Sequence, residues 1–263
     1  MKKLILLLFI ASFSTVWSQN QKLTAVKMDS IRFDGDAFLG YDAFGFYYTI
    51  KNNVFSKINK LDSIEYKNMS LGKITKVDLQ NPLKIVLFYE NFSTVIILDN
   101  QLNETQKINF SESIIPIVVT AIGIASQNQL WIYNSMNQQL GLYDYLKNEY
   151  KTIAVPFTET IKYYLSDFNN FHWVDTKNNW YVCDVFGKIT SKGILPDYDS
   201  IQIINENQFI YSKNEILILQ NLKKDQKNEI KIAEKSFEKF HYKDQILSIF
   251  TTAGITNYKI TIP

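Results

Sequence analysis

The side chains that could do metal or acid–base chemistry in this 263-residue chain are few in kind: His172, His241, Cys183 and scattered carboxylates. A multi-histidine metal site needs more imidazoles than one chain supplies, and a cysteine-built zinc site is excluded by Cys183 standing alone. There is no glycine-rich phosphate loop and no Gly-x-Ser-x-Gly elbow. Asp167, Asp175 and Asp184 fall in one short stretch, where they could ring a channel, hold Ca²⁺ or move protons. Asp34-Gly35-Asp36 has the opening of a calcium loop but lacks the downstream spacing and terminal Glu.

For each of these a structural reading weighs more. Asp accepts backbone N–H groups in tight turns, and every Asp named above sits in or beside a turn signal. Asp42 to Gly45 and Asp184 to Gly187 share the pattern Asp-x-Phe-Gly, in which Asp caps the turn and Gly supplies a positive φ. His172, between Phe171 and Trp173, reads as a hydrogen-bonded strand histidine rather than the base of a Ser-His-Asp set, and His241, between Phe240 and Tyr242, reads alike. Cys183, inside the aromatic run Trp180 to Val185, reads as a small buried hydrophobe. The sequence therefore predicts no catalytic, metal or cofactor-binding residues and no cofactor. Asn68, Asn91, Asn103 and Asn109 head Asn-x-Ser/Thr triplets, which mark glycans only in a eukaryotic secretory route.

The elements that would position any site repeat one design, in which an apolar strand runs into a short polar turn and returns. Second-strand anchors at Phe46, Ile85, Leu130, Trp173, Phe209 and Ile246 are separated by 39, 45, 43, 36 and 37 residues. A period near 40 carried by strands is the pattern of a β-propeller blade. The expected fold is all-β, a six-bladed propeller. The apolar run Ile114 to Ala125 is too short to span a bilayer and suits an inner strand buried on both faces. The last unit lacks a strand, and Leu23 to Ile31 alternates well enough to supply it and close the ring. Leu222 to Lys243 is ambiguous: a strand ending near Ala233 is expected, followed by a helical turn suggested by Phe237 and Phe240 and by lysines every fourth residue. Acidic residues interrupt those lysines, so the stretch reads as a solvated face.

Lys2 and Lys3 precede an apolar run from Leu4 to Ile10 and a small-residue site before Gln19, the arrangement of a secretory leader cleaved after Ser18. This divides the chain into a leader, residues 1–18, and one propeller domain, residues 19–263. Without Lys2 and Lys3 the 28 basic residues fall to 26, equal to the 26 acidic ones, so no global attraction to nucleic acid or an anionic membrane is expected. With one cysteine the exported chain has no internal disulfide, and stability must come from packing of aromatic residues, of which the full sequence has 16 Tyr, 18 Phe and 4 Trp.

The abundance of Lys, Asn and Ile, with Arg32 the sole arginine, and a mature end at Gln19 resemble exported proteins of the Bacteroidota. That resemblance implies a periplasmic location. By compartment, size and lack of reactive groups the chain also resembles the small periplasmic plug component of the type IX secretion translocon. The expected function is non-catalytic: a monomer that binds another envelope or outer-membrane protein within a hetero-complex, without inserting in the membrane. Two alternatives stand beside it. One is a propeller enzyme similar in architecture to lactonases or glutaminyl cyclases, with carboxylates at the axis; the other is recognition of sugars by exposed Tyr and Trp rings.

Overall fold

The computed structural model describes residues 21–33, 35–42, 44–112 and 117–262. The expected leader, Asp34, and the first residues of the apolar run at Ile114 lie outside them. The described residues form twenty-five strands, two 3₁₀ turns and no α-helix. Strands β1 (Gln21–Thr24) and β2 (Val26–Ile31) come first. Blade 1 then comprises β3 (Ala37–Tyr41), β4 (Tyr47–Lys51), β5 (Val54–Ile58) and β6 (Ser63–Tyr66). Blade 2 has β7 (Lys76–Asp78), β8 (Ile85–Tyr89), β9 (Thr94–Leu98) and β10 (Glu104–Asn109), and blade 3 has β11 (Val119–Ile124), β12 (Gln129–Asn134), β13 (Gln139–Asp144) and β14 (Glu149–Thr152). Blade 4 is β15 (Ile161–Ser166), β16 (Asn170–Asp175), β17 (Asn179–Asp184) and β18 (Ile189–Ile194), and blade 5 is β19 (Ser200–Ile203), β20 (Gln208–Lys213), β21 (Ile216–Asn221) and β22 (Gln226–Lys231). Blade 6 holds β23 (Lys239–Lys243), β24 (Ile246–Thr251) and β25 (Gly254–Lys259).

Each blade is an antiparallel meander, and its first strand lies innermost: β11 touches β7 and β15, and β23 touches β3 and β19, across the axis side of neighbouring blades. The chain is a six-bladed β-propeller, as the repeat predicts. Three of the four two-residue hairpins among the described residues, at Asn52-Asn53, Asn214-Glu215 and Asp244-Gln245, have positive φ at both residues. That geometry matches the twist of the flanking strands, and Asn and Asp reach it at low cost.

The middle strands are apolar on both faces because each blade is sandwiched between two others. All five residues of β8 and of β9 are buried. Ile85, Leu87 and Ile96 pack with Tyr48 and Phe55 of blade 1, whereas Val86, Phe88 and Val95 pack with Ile122 and Leu130 of blade 3. Trp131, Phe171 and Trp173 join blades 3 and 4, and Trp180 with Phe209 joins blades 4 and 5. A large apolar side chain buried in this way stabilises the fold by about 1.5–3 kcal/mol.

Closure uses the N-terminal segment twice. β2 pairs antiparallel with β25 and supplies the fourth strand of blade 6, as expected from the alternation up to Ile31. β1 instead pairs parallel with β22, giving blade 5 a fifth strand that the sequence does not announce. The seam between blades 6 and 1 is built from rings: Phe33 meets Phe250 edge-on at 5.2 Å, and Phe38 meets His241 at 6.3 Å. The helical turn expected before Lys243 is absent. Residues 239–243 form the inner strand of blade 6, pairing with Ile246 to Phe250, because Phe240 and Tyr242 alternate into the core between blades 5 and 6.

Candidate functional site

Asp167, Asp175 and Asp184 do not converge. Asp167 and Asp184 lie at one end of blade 4, and Asp175 lies at the other, beyond six residues of β16. A strand rises about 3.3 Å per residue, so that separation exceeds what one ion or one proton transfer can bridge. Their oxygens are engaged locally: Asp167 Oδ1 accepts from the Asn169 and Asn170 N–H groups, Asp175 Oδ1 from Lys177 and Asn179, and Asp184 Oδ1 from Phe186 and Lys188. Asp42 acts in the same way on Phe44 and Phe46 and also accepts from the buried Tyr48 hydroxyl at 2.8 Å. Asp36 accepts from the Asn52 N–H at 2.7 Å. Among the described residues no three His, Cys, Asp or Glu side chains gather as a metal site would need.

His172 is buried, as a structural histidine should be, but its partner is looser than expected. Its Nε2 lies 3.7 Å from Asp167 Oδ2, too far for a hydrogen bond, and its Nδ1 meets no polar partner among the described residues. Cys183 is fully buried, and desolvation pushes its thiol up to about 12, which removes it as a nucleophile. Trp131, Trp173 and Trp180 are buried in the blade cores and are out of reach of a saccharide.

The site that the fold does build is a cavity of about 540 Å³ at one mouth of the axis, walled by residues of all six inner strands. Two residues apart on the three-residue β7, Lys76 and Asp78 both face it. Asp78 Oδ2 accepts from the Ile124 N–H of blade 3 and Oδ1 from the Gln80 N–H, each at 2.8 Å. Burial raises the Asp78 pKa, and these hydrogen bonds together with Lys76 oppose the rise. Burial also lowers the Lys76 pKa, with Asp78 opposing it, and the Lys76 Nζ lies 4.5 Å from the centroid of the Tyr164 ring.

Most other polar groups on the wall tie blades together. A Cβ on Gly123 of blade 3 would fall 1.8 Å from Ser166 Oγ of blade 4, so the missing side chain is what admits that hydroxyl. The Tyr164 hydroxyl accepts from the Ile122 N–H at 3.4 Å. Gln202 of blade 5 reads both backbone groups of Tyr242 in blade 6, accepting its N–H at 2.7 Å and donating to its carbonyl at 2.6 Å. His241 stacks into the space beside Gly40, and desolvation, reinforced by the charge of Lys243, lowers its pKa to about 4, so it is neutral at pH 7. Sequence reasoning missed Lys76, Asp78, Tyr164 and Gln202. The one signal available was Lys-Val-Asp at the start of the second unit, where an inner strand is expected.

A six-bladed propeller with an axial pocket is the class these features define. No protein-family model matches the chain, and no curated protein sequence does. Solved structures share its fold at low identity. A virginiamycin B lyase from Staphylococcus aureus is 10% identical with a TM-score of 0.59, covering 94% of this chain and 97% of its own. The WD40 propeller domain of Doa1 is 10% identical with a TM-score of 0.58, covering 94% of each chain. A member of the DUF4221 family from Bacteroides vulgatus is 10% identical with a TM-score of 0.57, covering 93% of this chain and 97% of its own. At such identity the likeness establishes architecture and carries no activity across.

Proposed function

We propose that the protein is an exported, non-catalytic propeller that docks on another envelope protein through the face carrying the axial mouth. The observation that carries this reading is the pair of Asp-x-Phe-Gly turns. Asp and Gly in each are consumed by turn geometry, but Phe44 and Phe186 are 71% and 90% exposed. Phe44 follows an inner strand of blade 1, and Phe186 follows β17, which runs parallel to the inner strand of its own blade. Both therefore project from the same face, on opposite sides of the ring. Exposed aromatic anchors on a rigid scaffold are the usual energetic centres of a protein interface.

In this reading the chain acts in the periplasm after cleavage behind Ser18, as a monomer within a hetero-complex. An outer-membrane secretion translocon is the partner context that its resemblance to the type IX plug component suggests. The test is affinity isolation from the native envelope with wild type and with Phe44→Ser/Phe186→Ser. A stoichiometric outer-membrane protein retained by wild type and lost from the double variant supports the proposal. Equal recovery with both, or substrate turnover abolished by Asp78→Asn, sinks it. An intact mass beginning at Gln19 checks the leader.

A further inference from the structure

Several polar side chains of the axial wall are already committed to the fold, and the ammonium of Lys76 is not. Asp78 is held by two backbone N–H groups, Gln202 by Tyr242, and the Tyr41 hydroxyl by Asn257 at 2.8 Å. Lys76 makes no hydrogen bond and no ion pair among the described residues, although it reaches over the Tyr164 ring. The opposing charge that acts on it is Asp78, whose carboxylate is turned toward the Ile124 and Gln80 amides. An ammonium partly stripped of water and left without an acceptor is costly unless something supplies one.

We propose that the axial cavity binds a small organic anion, whose carboxylate seats on Lys76 and whose apolar body lies against Leu39, Leu79 and Leu165. On the same wall Lys243, beside Asp244, brings a second ammonium, and neutral His241 brings a ring nitrogen. The volume of about 540 Å³ falls in the range of small-molecule pockets, which are mostly apolar with a few fixed polar groups. A carboxylate at Lys76 supplies the acceptor that the fold withholds, so its binding favours the charged ammonium and opposes the desolvation that lowers the Lys76 pKa.

The experiment is calorimetric titration of the mature protein with phenylacetate and with its neutral counterpart, phenylacetamide. Wild type is expected to bind phenylacetate at least tenfold more tightly than the amide. Lys76→Met should lose that preference, and Lys76→Arg should keep it, with both melting cooperatively. Should the methionine variant fail to fold, Lys76→Gln gives the same reading. Absence of phenylacetate binding by wild type, equal binding of acid and amide, or a preference that survives removal of the Lys76 charge each overturns the proposal.

Discussion

The imidazole of His241 occupies the place that a β-carbon on Gly40 would take: an ideal Cβ there lies 2.6 Å from Cε1 and 2.7 Å from Nε2. Gly40 also has a φ of +125°, at the point where the pairing of β3 with β4 shifts register. Bulge, glycine and ring form one device that brings blade 6 against blade 1 at the axis. Gly40→Ala must strain the backbone and displace the ring, each costing on the order of 1–3 kcal/mol. A drop of about 3 kcal/mol in urea unfolding is expected, with partial recovery when His241→Ala is added. Full additivity of the two substitutions would show that they do not share this contact.

Acid should expose the same residue. The folded pKa of His241 lies at about 4, below the ordinary 6.5, so folding favours the neutral ring. Its contribution is present above pH 6.5 and is lost as pH falls through 4, to a limit of about 3 kcal/mol. Asp78 works in the opposite sense, because its raised pKa favours the protonated form and adds stability as pH falls. Comparing wild type with His241→Asn at each pH cancels that common term. The stability difference should shrink or reverse between pH 6.5 and 4, and a constant difference would place the imidazole in water.

The two Asp-x-Phe-Gly turns separate into unequal halves. Asp42 is buried and also caps the fully buried Tyr48 hydroxyl, so Asp42→Ala strands three donors; a loss of about 2–4 kcal/mol is expected by denaturant titration. Asp184 serves only two backbone N–H groups at a more open turn, and Asp184→Ala should cost about 1 kcal/mol. Equal losses would mean that the Tyr48 hydrogen bond contributes nothing.

The blade repeat was legible because every middle strand is squeezed between two neighbours, which forces continuous apolar runs such as Ile85 to Tyr89 at a fixed spacing. Closure by the segment ending at Ile31 was legible from its alternation. β1 was not, since Gln-Lys-Leu-Thr offers only Leu23 to a core and its pairing with β22 is set by the path of the chain. Lys239 to Lys243 misled because Phe237 and Phe240 match helical spacing as well as they match a strand, and only the hairpin at Asp244-Gln245 decides between them. The axial site was hidden for a different reason. Lys76 and Asp78 look like ordinary surface charges until the ring closes around them, and only their place on an expected inner strand hints that they face an axis.

The N-terminal segment makes two separable contributions. Asn257 Nδ2 donates to Asp29 Oδ1 at 2.7 Å and to the Tyr41 hydroxyl at 2.8 Å, joining β25 to β2 and to the first blade. A chain beginning at Arg32 lacks β2 and leaves the whole edge of β25 unpaired, an invitation to strand addition by another copy. A chain beginning at Ala25 lacks only the parallel β1, which contributes Leu23 to the core between blades 5 and 6. The longer truncation should therefore self-associate or fail to fold in size-exclusion chromatography. The shorter one should remain monomeric with a loss of about 1 kcal/mol, less than the full burial of a leucine is worth because Leu23 is only partly buried. A monomeric, cooperatively melting product from the longer truncation would show that the ring closes without β2.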